Sequence, residues 1–170
     1  MGRIASCIAA AALVAGCATQ QPQNAEEFRK VAPGAFLMGS ETLEVNRPLR
    51  DVAAAWQRRA PECLSASVRT TSQTSTSYQV ITTTYKPTVV VGKDRAELHV
   101  QREFKGSGVI TVGNPPAGGP YLIVADAYAL PGNRTRVQLI APTKGQDVVI
   151  RAIKGWASGE IQGCPDLTKQ

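Results

Sequence analysis

The sequence predicts an α+β domain: a mostly antiparallel sheet of about five to seven strands, one helix after the first strand and one C-terminal helix. Two observations carry that prediction. Apolar and polar residues alternate on both sides of two short turns, Gly92-Lys93-Asp94-Arg95 and Pro131-Gly132-Asn133, as in half-buried hairpins. Elsewhere, from Leu49 to Ala60 and from Val148 to Trp156, apolar residues recur at the spacing of one helix face.

The chain opens with an apolar run, Ile4 to Ala15, behind a single basic residue, Arg3. The run is too short to span a bilayer as a mature helix and reads as a secretory signal. It ends in Val14-Ala15-Gly16-Cys17, which resembles the lipobox of bacterial lipoprotein precursors. That resemblance implies cleavage of residues 1–16 and acylation of Cys17. Two or more acyl chains anchor a protein stably where one does not. Ala18, rather than an aspartate, follows the cysteine, which resembles the outer-membrane sorting pattern of Gram-negative lipoproteins. The implied location is the periplasmic face of the outer membrane. Thr19 to Glu27 is polar with no periodicity, so residues 17–35 read as a lipidated flexible tether and residues 36–170 as a single periplasmic domain.

Export bounds the chemistry. The whole chain has 19 Lys and Arg against 13 Asp and Glu, and loss of Arg3 with the signal leaves a net charge of about +5. Nucleic acid drops out as a partner in that compartment, and anionic headgroups or a mildly basic soluble surface remain. Of four cysteines, Cys7 leaves with the signal and Cys17 takes lipid, so Cys63 and Cys164 pair most simply as a disulfide. Two distant thiols and one histidine make a poor zinc site, and no metal or other cofactor is expected.

Within the domain, Phe36 to Val45 reads as extended. Asn46-Arg47-Pro48 opens a helix, with Asn46 as its cap and Pro61 as its stop. Leu49, Val52, Ala53, Trp56 and Ala60 form its buried stripe, with Trp56 a core anchor. The Ser- and Thr-rich stretch from Ser65 to Ser77 begins as a strand. Tyr78–Val91 and 96–104 pair so that Val91 faces Ala96, Val89 faces Leu98 and Tyr85 faces Arg102. Glu97, His99, Gln101 and Glu103 then share a face expected to meet water. Pro87 marks an edge or a bulge. Val109 to Val112 is a short strand, and Gly113 to Pro120 an irregular loop. Tyr121–Leu130 and 134–141 form the second hairpin, with Ile123, Ala125, Ala127 and Ala129 on the side of Val137, Leu139 and Ala141. Residues from about Gln146 to Ala157 form the last helix, locally weakened by Gly155.

The order strand, helix, antiparallel strands, helix is similar to the helix-grip architecture of START and Bet v 1-like domains over about residues 36–157. The last helix is shorter than in the large ligand-carrying members of that group.

Catalytic signatures are missing from the sequence. No G-x-S-x-G elbow, P-loop, H-E-x-x-H or C-x-x-C appears. His99 lacks a nucleophile or orienting partner at recognisable spacing. Three local contacts are expected: the Arg102 guanidinium over the Tyr85 ring, an Asp126–Arg136 cross-strand ion pair, and an outer apolar patch of Leu122, Val124 and Tyr128. The Thr-rich segment is the expected cover for that patch. The sequence thus favours a non-enzymatic interaction or structural module, membrane-anchored through Cys17, with an envelope protein or a second copy as partner. A carrier or sensor of a small apolar ligand is the alternative.

Overall fold

The computed structural model describes residues 21–73, 78–106 and 113–169, so the signal segment, Cys17 and the strand expected at Val109–Val112 lie outside the described residues. Within them the fold is α+β, with six antiparallel strands in one open sheet and three α-helices. The elements are α1 (Ala25–Val31), a single 3-10 turn (Ala32–Gly34), β1 (Met38–Val45), α2 (Leu49–Leu64), β2 (Ser67–Gln73) and β3 (Tyr78–Val91). They continue with β4 (Arg95–Gly106), β5 (Tyr121–Leu130), β6 (Arg134–Pro142) and α3 (Asp147–Ser158). The sheet order β1-β6-β5-β4-β3-β2 brings the first strand beside the last.

Both hairpins take the register that their alternation predicts. Val91 pairs with Ala96, Val89 with Leu98 and Tyr85 with Arg102 across β3 and β4. Leu130 pairs with Arg134 across the second turn, where Gly132 and Asn133 both adopt the positive φ that turns the chain tightly. Pro87 lies on the stretch of β3 that β2 does not reach, since β2 pairs only with Tyr78 to Thr84. A missing N–H is harmless on that free edge.

The main core lies between the inner sheet face and the pair α2 and α3. Ala96, Leu98, Val100, Ala125, Ala127, Val137 and Leu139 face Trp56, Val52, Val149, Ile153 and Trp156. The alanines of β5 lower the sheet floor, and two indoles fill the space above it. Trp56 donates its Nε1–H to the Ile153 carbonyl at 3.2 Å, and Trp156 donates to Gly163 at 3.0 Å. Each buried ring thereby keeps its polar atom satisfied.

Helix α2 differs from expectation at both ends. Pro48, not Asn46, occupies the cap position, and its carbonyl receives Asp51 and Val52 amides at 3.0 and 3.3 Å. Pro61 sits inside the helix, which continues to Leu64. The proline removes one amide donor, but the carbonyl it orphans belongs to solvent-exposed Gln57, where water can take its place. Continuing the helix buries Cys63 and Leu64. Cys63 is joined to Cys164 in a disulfide, with the Cα atoms 5.0 Å apart, and this ties the tail after α3 to the end of α2.

The N-terminal stretch read as a tether holds a helix. Asn24 accepts the Glu27 amide at 2.8 Å, and Glu27 reaches back to the Gln23 amide at 2.8 Å. Asn24 also donates to Glu27 at 2.9 Å. This reciprocal pattern starts α1, whose Ala25 and Phe28 are buried against the outer sheet face, as is Ala32 just after it.

Candidate functional site

The outer face of the sheet was expected to meet water, yet it carries the densest polar cluster among the described residues. In the β4–β5 register Glu97 stands directly opposite Asp126. Two carboxylates so placed repel one another. Two arginines resolve the conflict, one from the sheet and one from α1. Arg95 donates Nε and Nη2 to Asp126 at 3.0 and 2.7 Å, and Nη2 also reaches Glu97 at 2.6 Å. Arg29 donates Nε and Nη2 to the two Asp126 oxygens at 2.7 and 2.9 Å, and Nη2 donates to Glu97 as well.

The cluster continues along the strand. His99 Nδ1 lies 3.1 Å from Glu97, and its ring meets Tyr121 edge-on with centroids 5.3 Å apart. Tyr121 in turn packs on Phe28 of α1 at 5.9 Å. His99 and Asp126 are therefore buried beside α1, and Gln101 is buried under the 113–120 loop, where it donates to the Ala117 and Gly119 carbonyls at 2.9 and 2.8 Å, contrary to the solvated face expected for them. Only Glu103 of that row stays open, paired with Lys86 at 2.7 Å.

Electrostatics follow from this geometry. Burial alone would raise the Glu97 carboxyl, but the Arg29 hydrogen bond and charge outweigh it, with His99 and Arg95 adding to them, and hold the group below the ordinary glutamate range. Burial likewise opposes the Arg29 charge, and Asp126 with Glu97 more than restores it. Burial, reinforced by the Glu97 charge, pushes the Tyr121 phenol up. The Glu97 carboxylate is thus held ionised and bonded to guanidinium, and through Arg29 it helps fasten α1 to the sheet. The cluster's chemistry is that of a clamp. Among the described residues no group of three or more His, Cys, Asp or Glu side chains could hold a metal.

Three expected contacts take other forms. Arg136 pairs with Glu44 of β1 at 3.6 Å instead of Asp126, which faces Gln138 in the ladder and belongs to Arg29 and Arg95. Arg102 keeps its register opposite Tyr85, but its guanidinium stacks over Phe104 at 4.8 Å, two residues along its own strand. Leu122 leaves the outer patch because of a bulge: Val100 pairs with Ile123 and Gln101 with Tyr121, so Leu122 is the extra residue and joins the inner core. Val124 remains outside and is covered by α1 rather than by the Thr-rich segment.

A second feature lies at the β1 edge of the sheet, on the side of α3. Between β1, the sheet's first strand, and α3 runs an open groove of about 710 Å³. Leu43, Ile150 and Ile161 line it together with charged groups, and Lys154 bridges it to Glu41 at 2.5 Å.

The helix α1 and its clamp are what the sequence reading missed. The signal was present in Asn24-Ala25-Glu26-Glu27, a cap residue with glutamate three positions on, followed by Phe28 and Ala32 on the Ala25 side. In comparisons with known proteins, no family model and no curated protein matches the chain.

Proposed function

We propose that this protein is a membrane-anchored envelope lipoprotein that acts as a non-enzymatic interaction or structural module in the periplasm. The lipobox-like Val14-Ala15-Gly16-Cys17 supports the anchor, and Ala18 after it supports a position at the periplasmic face of the outer membrane. The observation that most favours a module over an apolar carrier is the filling of the sheet–helix interior by Trp56 and Trp156, 0 % and 1 % exposed. The polar groups of the outer sheet face are engaged in fastening α1 to the sheet. The partner is an envelope protein or a second copy of the chain.

The carrier reading retains one supporting feature, the groove between β1 and α3. Its mixed lining suits a ligand with both apolar and charged parts better than a plain hydrocarbon.

Expression of the full chain in a Gram-negative host, followed by membrane fractionation and native mass spectrometry, separates these readings. The proposal expects an acylated protein in the outer-membrane fraction, bound to another polypeptide or to itself. A soluble, unacylated protein would refute the anchor. A stoichiometric small ligand released from a monomer would replace the module with the carrier.

A further inference from the structure

We propose that Val31, Phe36 and Leu37 form a membrane contact, inserting into the interface of the same bilayer that holds the Cys17 acyl chains. This rests on the lipoprotein reading and extends it from an anchor to a defined docking face. Phe36 is 91 % exposed, Val31 54 % and Leu37 51 %, so three of the seven large apolar residues exposed among the described residues fall within residues 31–37. Large apolar side chains left in water at one place mark an interaction site rather than scattered surface.

The segment is held in position. Its upstream side is α1, clamped to the sheet by Arg29. On the downstream side Leu37 adopts φ +62°, unusual for a residue with a side chain, while its carbonyl accepts the Thr143 amide at 2.8 Å and hydroxyl at 3.3 Å. Phe36 is thus carried outward on a fixed base. Lys144, exposed beside Thr143, supplies a cation for lipid phosphates, and Lys30, exposed beside Val31 and 3.6 Å from Glu26, lies on the same side of the segment as α1.

Chain reach selects the bilayer as occupant. Eight residue steps lead from Cys17 to Ala25, a span of at most about 29 Å when fully extended. Helix α1 adds only about 10 Å before Val31. The apolar segment therefore lies within about 40 Å of the surface that carries the lipid, close enough to reach it, and side chains of this kind partition to the headgroup boundary.

The test uses the full chain with Phe36→Trp, reconstituted in vesicles of phosphatidylethanolamine and phosphatidylglycerol with or without brominated acyl chains. Trp56 and Trp156 give a constant buried background, subtracted with the unsubstituted protein, and Tyr78→Trp, on an exposed site at the start of β3, is the control. The added emission from residue 36 should shift to the blue and lose most of its intensity to bromolipid, while that from residue 78 should do neither. Water-like, unquenched emission from residue 36 on vesicle-bound protein overturns the contact. A blue shift in lipid-free protein that grows with concentration also overturns it, in favour of a second copy. Acyl mass on Cys17, compared with Cys17→Ser, reports the anchor separately. Without an acyl chain the anchor reading falls, and quenching with vesicles in excess still decides the contact.

Discussion

Arg29 of α1 grips Asp126 of β5 through two parallel hydrogen bonds of 2.7 and 2.9 Å, linking residues 97 apart in sequence. The fork of the guanidinium matches both carboxylate oxygens, the geometry that makes such pairs strong and directional. This contact turns a seven-residue helix, too short to be stable alone, into part of the fold. It also screens Glu97 from Asp126 on the neighbouring strand.

The two partners should not be equally important. Asp126, 5 % exposed in its side chain, is shared by Arg29 and Arg95, so Asp126→Asn leaves the two guanidiniums with Glu97 and, for Arg29, the exposed Glu26 at 3.4 Å. Breaking a buried ion pair by removing one partner typically costs about 3–5 kcal/mol. Arg29→Ala leaves Asp126 still paired with Arg95 and should cost less, while freeing α1. Urea midpoints should fall further for Asp126→Asn than for Arg29→Ala. Hydrogen exchange at residues 25–31 should rise sharply in both. Equal midpoints, or unchanged exchange in the helix, would contradict the clamp.

Glu97 gives the fold a pH dependence with a definite sign. Its carboxyl is held below the ordinary range in the folded state, chiefly by Arg29 acting against burial. The folded form therefore binds its proton less readily than the unfolded chain does. The contribution is complete above the unfolded value of about 4.3 and is lost as pH falls through the depressed folded value. Urea midpoints measured from about pH 6 down to pH 3 should fall more steeply in the native sequence than in Glu97→Gln. Parallel curves would mean that Glu97 does not carry this linkage.

Sequence patterning reached the inner half of this fold and stopped at the outer half. Period-two alternation set both hairpin registers because a slip by one would have turned Ala96, Leu98 and Val100 toward solvent. The stripes through Trp56 and Trp156 were legible for the same reason: one face of each helix has a single place to go. The outer face depends on a third element. Glu97, His99 and Asp126 look solvated along their strands, and only the arrival of α1 from about 70 to 100 residues away buries them. Arg102 had Tyr85 across the ladder and Phe104 along its strand, both within reach, and register alone does not choose between them. Leu122 was misplaced by a bulge, since one extra residue inverts a side chain without changing the composition of the strand.

The Cys63–Cys164 link closes a loop across a sequence separation of 101 residues. For a loop of that size the chain-entropy model gives about 4–5 kcal/mol of stabilisation. The paired Cys63→Ala/Cys164→Ala variant should lose that amount in urea unfolding at neutral pH. The tail after α3 should become sensitive to protease before the sheet does, because Cys164 ties it to α2. A drop below about 1 kcal/mol would place the tail's stability in its other contacts, such as the Trp156–Gly163 bond.

Gly155 looks like a weak point in α3, and exchanging an exposed mid-helix glycine for alanine ordinarily adds about 1 kcal/mol. Here the opposite sign is expected. The chain reverses at Gly159, φ +86°, and returns across the helix so that the Ile161 amide bonds the Gly155 carbonyl at 3.2 Å. A methyl on residue 155 would stand 2.7 Å from the Ile161 Cβ, inside any normal contact, and the two outer carbons of that side chain would be closer still. Because the nearest atoms belong to a branched side chain on a fixed turn, the strain has little room to relax. Gly155→Ala should therefore lose about 1–3 kcal/mol, as overpacking does. Arg47, which caps the same helix end by donating to the Trp156 and Ala157 carbonyls at 2.8 and 3.0 Å, holds the turn in place and prevents it from swinging aside. Adding Ile161→Ala to Gly155→Ala should recover the part of the loss that comes from Cγ1 and Cδ1, the two closest atoms, while the Cβ that alanine keeps still crowds the methyl, and Ile161→Ala alone is destabilising. A double-mutant cycle in urea reads this directly. Additive losses from the two substitutions would show that the helix, and not the returning chain, requires the glycine.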